Sequence, residues 1–427
     1  MVQIMYLKIL SQFMIWYVQM ISSQMNNSYC YLMCLWRSKF SKMMLVIDSS
    51  MDTQEKIMDI YQPVHYKSLK LLCSCSDDFL VDDKDFQQCL KGCKWSPDGL
   101  SILTNSEDRK LRIFNIETDE IKQCTKINKV NQIKEGGTIY DYVWYPKTVM
   151  TENENVNLIL STSNRSPIHL WNAKDGHLEA TYRVYDHVDE VAHVNSLCFN
   201  WSGEEIYCGS YGKLNIFRTD RPGREFSEIS TKKDLHRSII STIAMNPVDK
   251  SIFAVGTYNK DIGVYGGNQL MYILRGHKSG ITQLQFSPDG LKLYSGSRKG
   301  DNDIVCWDLR NVGQTLYSAE RTVTTNQRIC FDISSDGQYL VSGNCTGDVS
   351  TWKLDQNIEM PEGVECVLAL NSKIPAHNDC VNGVSLHPTH PWLATTSGQR
   401  HNETDDDDDD EHILHTTDVS LKLWKII

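Results

Sequence analysis

The chain has 427 residues, 41% hydrophobic and 9% aromatic, which excludes a disordered composition and allows a substantial buried core. Its net charge of −11 argues against a generally basic nucleic-acid-binding protein, yet seven of the negative charges stand in one run at 405–411. Removing that run leaves only −4, so the total says little about any single face.

The N-terminus is apolar and uncharged from residue 9 to residue 36, but Ser11, Gln12, Gln19, Ser22 and several later polar residues break the run. A variable leader over 1–60 is therefore expected in place of a membrane anchor, with a start at Met43, Met44 or Met51 as the alternative origin of the mature chain. Beyond it, 66–75 reads as a lone strand with no hairpin partner nearby.

The clearest unit follows at 276–310. It begins Gly276-His277, turns at Ser287-Pro288-Asp289-Gly290 between two short apolar strands, and closes on Trp307-Asp308. Gly-His in front and Trp-Asp behind, within a repeat of about 40–45 residues, mark one blade of a WD-repeat propeller. Strand triplets of the same kind recur through 61–427. They fall at 89–95, 102–105 and 111–116; at 140–145, 158–162 and 168–172; and at 194–199, 206–209 and 214–217. Further triplets are 239–245, 252–256 and 262–265; 328–333, 339–343 and 349–352; and 380–387, 392–397 and 419–424. Seven copies predict an all-β fold, a seven-bladed WD-repeat β-propeller. The lone strand at 66–75 would complete the last blade and remove two exposed sheet edges.

Within the repeat, His277, Ser295, Trp307 and Asp308 are expected to be structural: the histidine bonds Ser295 and an aspartate of Asp301-Asn302-Asp303, beside Trp307. The fourteen cysteines form no Cys-x-x-Cys knuckles, and Cys198, Cys208, Cys306 and Cys330 sit singly in strand patterns. Free core thiols in a reducing compartment are expected, with no metal or cofactor. No Ser/His/Asp set or phosphate-binding glycine loop has a defined context, so the chain is not expected to be an enzyme.

Function must then lie in what the channel mouth displays. The second-to-third-strand loops carry Arg109, Arg165, Lys213, Lys260, Arg298 with Lys299, and Arg400. The loops leading into the inner strands add Lys232, Lys233, His236, Arg237, His277, Lys278 and Arg328, and Tyr140, Tyr142, Tyr211 and Tyr258 are interleaved. Such a rim suits unpaired RNA, by phosphate neutralisation and base stacking, or a peptide partner. Trp307-Asp308-Leu309-Arg310 also matches the Trp-Asp-x-Arg box of cullin-type ubiquitin ligase substrate receptors, a protein-only alternative. An acidic insertion at 401–418 separates the last two strands and should remain solvated.

Several stretches go beyond blade texture: Leu90-Lys91-Gly92-Cys93-Lys94-Trp95, Tyr140-Asp141-Tyr142-Val143-Trp144-Tyr145, Ser166-Pro167-Ile168-His169-Leu170-Trp171 and Arg221-Pro222-Gly223-Arg224. Thr324-Thr325-Asn326-Gln327-Arg328-Ile329, Asn382-Gly383-Val384-Ser385-Leu386-His387-Pro388 and Ser397-Gly398-Gln399-Arg400 complete the series. In this order, from about residue 86 to the C-terminus, the chain resembles the telomerase Cajal body protein family, also called the antisense-to-p53 WD-repeat proteins. The apolar leader departs from that family, whose N-termini are polar.

The resemblance implies an RNA-binding scaffold for the CAB-box loop of small Cajal-body RNAs and telomerase RNA. It implies a nuclear, Cajal-body location, H/ACA ribonucleoprotein components as partners and folding by a cytosolic chaperonin. It puts Arg328, Arg400 and Arg165 first as RNA contacts and Asn326 and Gln327 as readers of a base edge. Arg298, Lys299, Arg237 and Tyr142 complete the expected set.

Overall fold

A computed structural model describes residues 65–81, 87–118, 124–148, 156–185, 189–235, 237–311, 315–354, 366–400 and 418–427. The leader over 1–60, His236 and all of the acidic insertion except Asp418 lie outside the described residues.

Among the described residues, twenty-eight strands form seven four-stranded antiparallel sheets, the blades of a propeller. The inner strands are Leu90–Trp95, Ile139–Trp144, Ser196–Phe199, Ile240–Met245, Ile281–Phe286, Phe331–Ile333 and Val381–Leu386. Six outermost strands carry no signature in the sequence: Cys124–Lys134, Leu178–Tyr182, Phe226–Ser230, Gln269–Leu274, Thr315–Glu320 and Leu370–Pro375. Each is an edge strand with one face in water, and Gln269–Leu274 alternates between exposed and covered residues with only its last side chain fully buried.

The seventh blade takes its outermost strand from the other end of the chain. Leu69–Cys75 pairs antiparallel with Leu421–Ile426, Leu69 opposite Ile426 and Cys75 opposite Leu421. Just before it, Tyr66 stacks on Tyr339 of blade six at 4.3 Å, and its carbonyl accepts the hydroxyls of Thr351 and Ser372 at 3.0 and 2.8 Å. Closure therefore fastens two blades, not one.

Every junction between neighbouring inner strands also carries a side-chain hydrogen bond. In ring order from blades one and two these are Trp144 Nε1 to the Lys94 carbonyl (3.1 Å), the Leu197 amide to Asp141 Oδ2 (3.0 Å), Ser196 Oγ to the Ile240 carbonyl (3.0 Å) and Ser241 Oγ to the Ile281 carbonyl (2.6 Å). Gln283 Nε2 to the Phe331 carbonyl (2.7 Å), the Leu386 amide to Asp332 Oδ2 (2.8 Å) and Trp95 Nε1 to the Ser385 carbonyl (3.1 Å) complete the circle. Apolar clusters fill the wedges between blades, as where Trp307, 1% exposed, packs with Leu284, Phe286 and Leu293 of its own blade and Ala254, Ile262 and Val264 of blade four. Eleven of the described cysteines are free. Among the described residues no helix is long and apolar enough to cross a membrane.

Candidate functional site at the channel mouth

Near the start of the inner strand, five blades slip their register by one residue against the second strand: between Leu90 and Gly92, Ile139 and Asp141, Ile240 and Thr242, Ile281 and Gln283, and Val381 and Gly383. A bulge of this kind re-aims the extra side chain out of strict alternation. The residues so released are Lys91, Tyr140, Ser241, Thr282 and Asn382. Lys91, Tyr140 and Thr282 line the channel mouth. Ser241 and Asn382 bond neighbouring blades instead, Asn382 Nδ2 to the Leu90 carbonyl at 2.7 Å.

The mouth encloses a cavity of about 1110 Å³ with residues from six of the seven blades in its wall. Six cations line it, Lys91, Lys94, Arg298, Lys299, Arg328 and Arg400, against two carboxylates, Glu107 and Asp141. Lys91 holds Glu107 at 2.8 Å, and Arg400 takes the other oxygen of the same carboxylate while 57% of its side chain stays exposed. Arg298 lies over the Tyr258 ring, 4.9 Å from its centre.

The Thr324–Thr325–Asn326–Gln327 loop is fixed mainly by its backbone. The Thr324 amide meets Cys345 Sγ at 3.3 Å, the Lys299 amide donates to the Thr325 carbonyl at 3.3 Å, and the Gln327 amide donates to Thr325 Oγ1 at 2.7 Å. The Cys380 thiol, helped by the Thr324 amide, holds the Cys345 thiol down to about 6. Asn326 is exposed, and Gln327 donates Nε2 to Cys89 Sγ at 3.5 Å.

Deeper in, the channel narrows to an ionic waist. Asp141 accepts the Tyr142 and Leu197 amides at 2.9 and 3.0 Å, with Lys94 Nζ 3.6 Å and Arg328 Nη1 3.7 Å away. Arg328 reaches there from blade six and donates Nη2 to the Ser241 carbonyl of blade four at 3.0 Å. Burial opposes its charge most strongly, but the Asp141 carboxylate together with Cys330, Tyr258 and Tyr142 outweighs it, and the guanidinium pKa is raised. Beyond the waist lies a second cavity of about 560 Å³, lined by apolar residues including Trp144, Pro146, Phe199, Trp201, Met245, Pro247 and Phe286.

Comparison with known proteins fits this geometry. The WD domain, G-beta repeat pattern matches residues 86–115, 268–308 and 368–401. Telomerase Cajal body protein 1 of mouse is 44% identical over 321 residues, 73% of this chain and 59% of the mouse protein. The Drosophila melanogaster homolog is 37% identical over 331 residues, 74% of this chain and 58% of its own. A Schizosaccharomyces pombe protein named guanine nucleotide-binding protein negative regulator 1 is 31% identical over 288 residues, 62% of this chain and 71% of its own length. The chain belongs to the telomerase Cajal body protein family. It spans about three fifths of the length of the telomerase Cajal body proteins it matches.

For this family member, Arg298, Lys299, Asn326, Gln327 and Arg400 converge on the mouth as the sequence reading grouped them. Four other positions differ from expectation. Arg328 is not on the rim but in the waist, because the inner strand of blade six begins only at Phe331. The preceding Cys330 amide leaves its own blade to bond the Asn382 carbonyl at 2.8 Å. Tyr142 is 6% exposed, with Lys94 Nζ 4.8 Å over its ring, so it has no free face for a base; the bulge turns Tyr140 to the mouth instead. Arg165 and Arg237 are exposed but do not line the cavity.

The structural set sits inside its blade. His277 bonds Asp301 at 2.7 Å and Ser295 at 2.6 Å, and Trp307 Nε1 donates to Ser295 at 2.7 Å. His277 holds the Asp301 carboxyl well below its usual range, although burial pulls the other way. Asp308, the last residue of its strand, is tied at 2.7 Å to Arg310 in the bend just after it, so the Trp-Asp-x-Arg box is occupied by a local ion pair. Of the site residues that sequence reasoning missed, Lys91, Lys94, Asn105 and Asp141 had one signal, polar residues interrupting the first two strands of blades that are otherwise apolar, while Glu107 lies in the turn just after such a strand.

Proposed function

We propose that this chain is an RNA-binding scaffold whose channel mouth holds the CAB-box loop of small Cajal-body RNAs and of telomerase RNA, bringing H/ACA particles to nuclear Cajal bodies. The observation that carries the reading is the local reversal of charge. A chain of net −11 gathers six cations against two carboxylates around one cavity, with Tyr140 and Tyr258 among them. Phosphates supply the counter-charge that this rim lacks, and unpaired bases supply faces for the tyrosines. The relatives' names connect the mouse and fly proteins with telomerase and the Cajal body, which supports the same cargo here.

The H/ACA proteins would be met through the bound particle, and a cytosolic chaperonin would assist a ring that closes only when residues 69–75 find the far end of the chain. Sequencing of RNA crosslinked to the chain in its native cells tests the reading. Small H/ACA-type RNAs should dominate. A partner list unchanged by RNase, with no such RNA recovered, would reject it in favour of a protein-only adaptor.

A further inference from the structure

We infer that the mouth takes in a single unstacked nucleobase, whose exocyclic amine is read by Asn105 and Gln327. The inference rests on the RNA-binding reading above. Asn105 Oδ1 and Gln327 Oε1 are buried side-chain acceptors that receive no hydrogen bond, and both residues line the mouth cavity. Asn105 is 3% exposed, so its oxygen has little recourse to bulk water. A buried acceptor without a donor is a standing cost that a ligand N–H removes.

The charged acceptors of the same cavity already face cations: Glu107 Oε1 meets Arg400 and its Oε2 is ion-paired with Lys91 at 2.8 Å though outside hydrogen-bond geometry, and Asp141 meets two amides, Lys94 and Arg328. What remains open is neutral amide oxygen within a cationic wall. A lysine or arginine of a peptide would be repelled there, whereas the amine of adenine, cytosine or guanine is a neutral donor on a group whose flanking phosphates the rim attracts. Arg298, Lys299 and Arg400 stand at the rim for those phosphates, and the Asp141–Arg328 waist forms the floor. The base is inserted, not threaded, and uracil, lacking the amine, is disfavoured at that one position.

The experiment uses the full chain and the CAB-box hairpin. Each loop base is replaced in turn by its analogue without the exocyclic amine, and affinity and its salt dependence are measured. One position should lose about tenfold in affinity, and in Asn105→Leu or Gln327→Met the same replacement should cost less than about twofold, with the salt slope unchanged. The amine scan is read on the wild-type chain, so it decides the matter even if Asn105→Leu does not fold. Amine replacements that all leave affinity within about twofold while binding stays salt-dependent would overturn base insertion and leave the RNA-binding reading standing. No salt-dependent binding of the hairpin would overturn both.

Discussion

Removing Arg298, Lys299 and Arg400 together, as alanines, is the most direct measure of the mouth's charge. Six cations and two carboxylates give the wall a net charge of +4, and the triple variant leaves +1. With single-stranded RNA each neutralised phosphate contributes about −0.7 to the slope of log affinity against log salt. The wild-type slope should be about −2.8 and the variant slope about −0.7. Between about 50 and about 200 mM salt the wild-type protein should lose about 50-fold in affinity for the CAB-box hairpin, the variant about threefold. Folding should survive. Arg400 and Lys299 are exposed, Glu107 keeps Lys91 at 2.8 Å, and losing the Arg298–Tyr258 contact costs about 0.5–1 kcal/mol. Fluorescence anisotropy across a salt series reads the slope, and thermal unfolding checks the fold. A folded variant that keeps the wild-type slope would show that RNA, if bound, is held on another face.

Other expectations concern the ring and its turns. A Cβ on Gly383 would stand 2.7 Å from the Cys93 amide nitrogen and 2.7 Å from Gly92 Cα, both backbone atoms of blade one, so Gly383→Ala should cost about 1–3 kcal/mol in urea unfolding. An unchanged midpoint would mean that the seam between the last and first blades yields freely. Burial and the nearby His390 charge lower the His387 pKa from 6.5 to about 4. The unfolded chain then takes up a proton that the folded chain refuses, so this stability is full above about pH 6.5 and falls by at most about 3 kcal/mol as pH drops through about 4. His387→Asn should flatten that part of the pH profile, and an equally steep profile in the variant would refute the assignment. Arg165 holds a left-handed φ of 56°, so Arg165→Gly should leave stability level or raise it by up to about 1 kcal/mol, strain relief offsetting the glycine's extra unfolded freedom. A loss greater than about 1 kcal/mol would mean that the arginine side chain has a structural partner.

The blades were legible because their turns are local chemistry. Asp289 accepts the Ser287 hydroxyl and the Leu291 amide, and Asp336 accepts the Ser334 hydroxyl and the Gln338 amide, so four consecutive residues suffice to announce each hairpin. The outer strands announce nothing, since an edge strand needs only extended backbone and one covered face. At the site, the Thr324–Gln327 loop and the Arg298–Lys299 pair stood out because they break the repeat where a loop must lie. Lys91 did not, because strict two-residue alternation takes no account of a bulge, and the slip at Leu90/Gly92 is set by pairing across the sheet. Arg328 was misplaced for a related reason: the point where its strand begins depends on Asn382, more than fifty residues away in the next blade.

That displacement alters how the channel can work. The mouth cavity and the cavity beneath it share Cys93, Lys94, Asp141, Thr282, Arg328 and Cys330, so the waist divides one channel into two compartments. The upper compartment is cationic, and the lower one is walled by Trp144, Phe199, Trp201, Met245 and Phe286. A strand threading through would first have to separate Arg328 from Asp141 in a buried setting, then carry its phosphates past a wall that offers them apolar surface in place of counter-charge. Both steps oppose passage. A ring built this way favours a ligand that enters from the cationic side and stops at the waist. The arginine that a rim reading assigns to the ligand is better understood as part of the floor that makes the mouth a pocket.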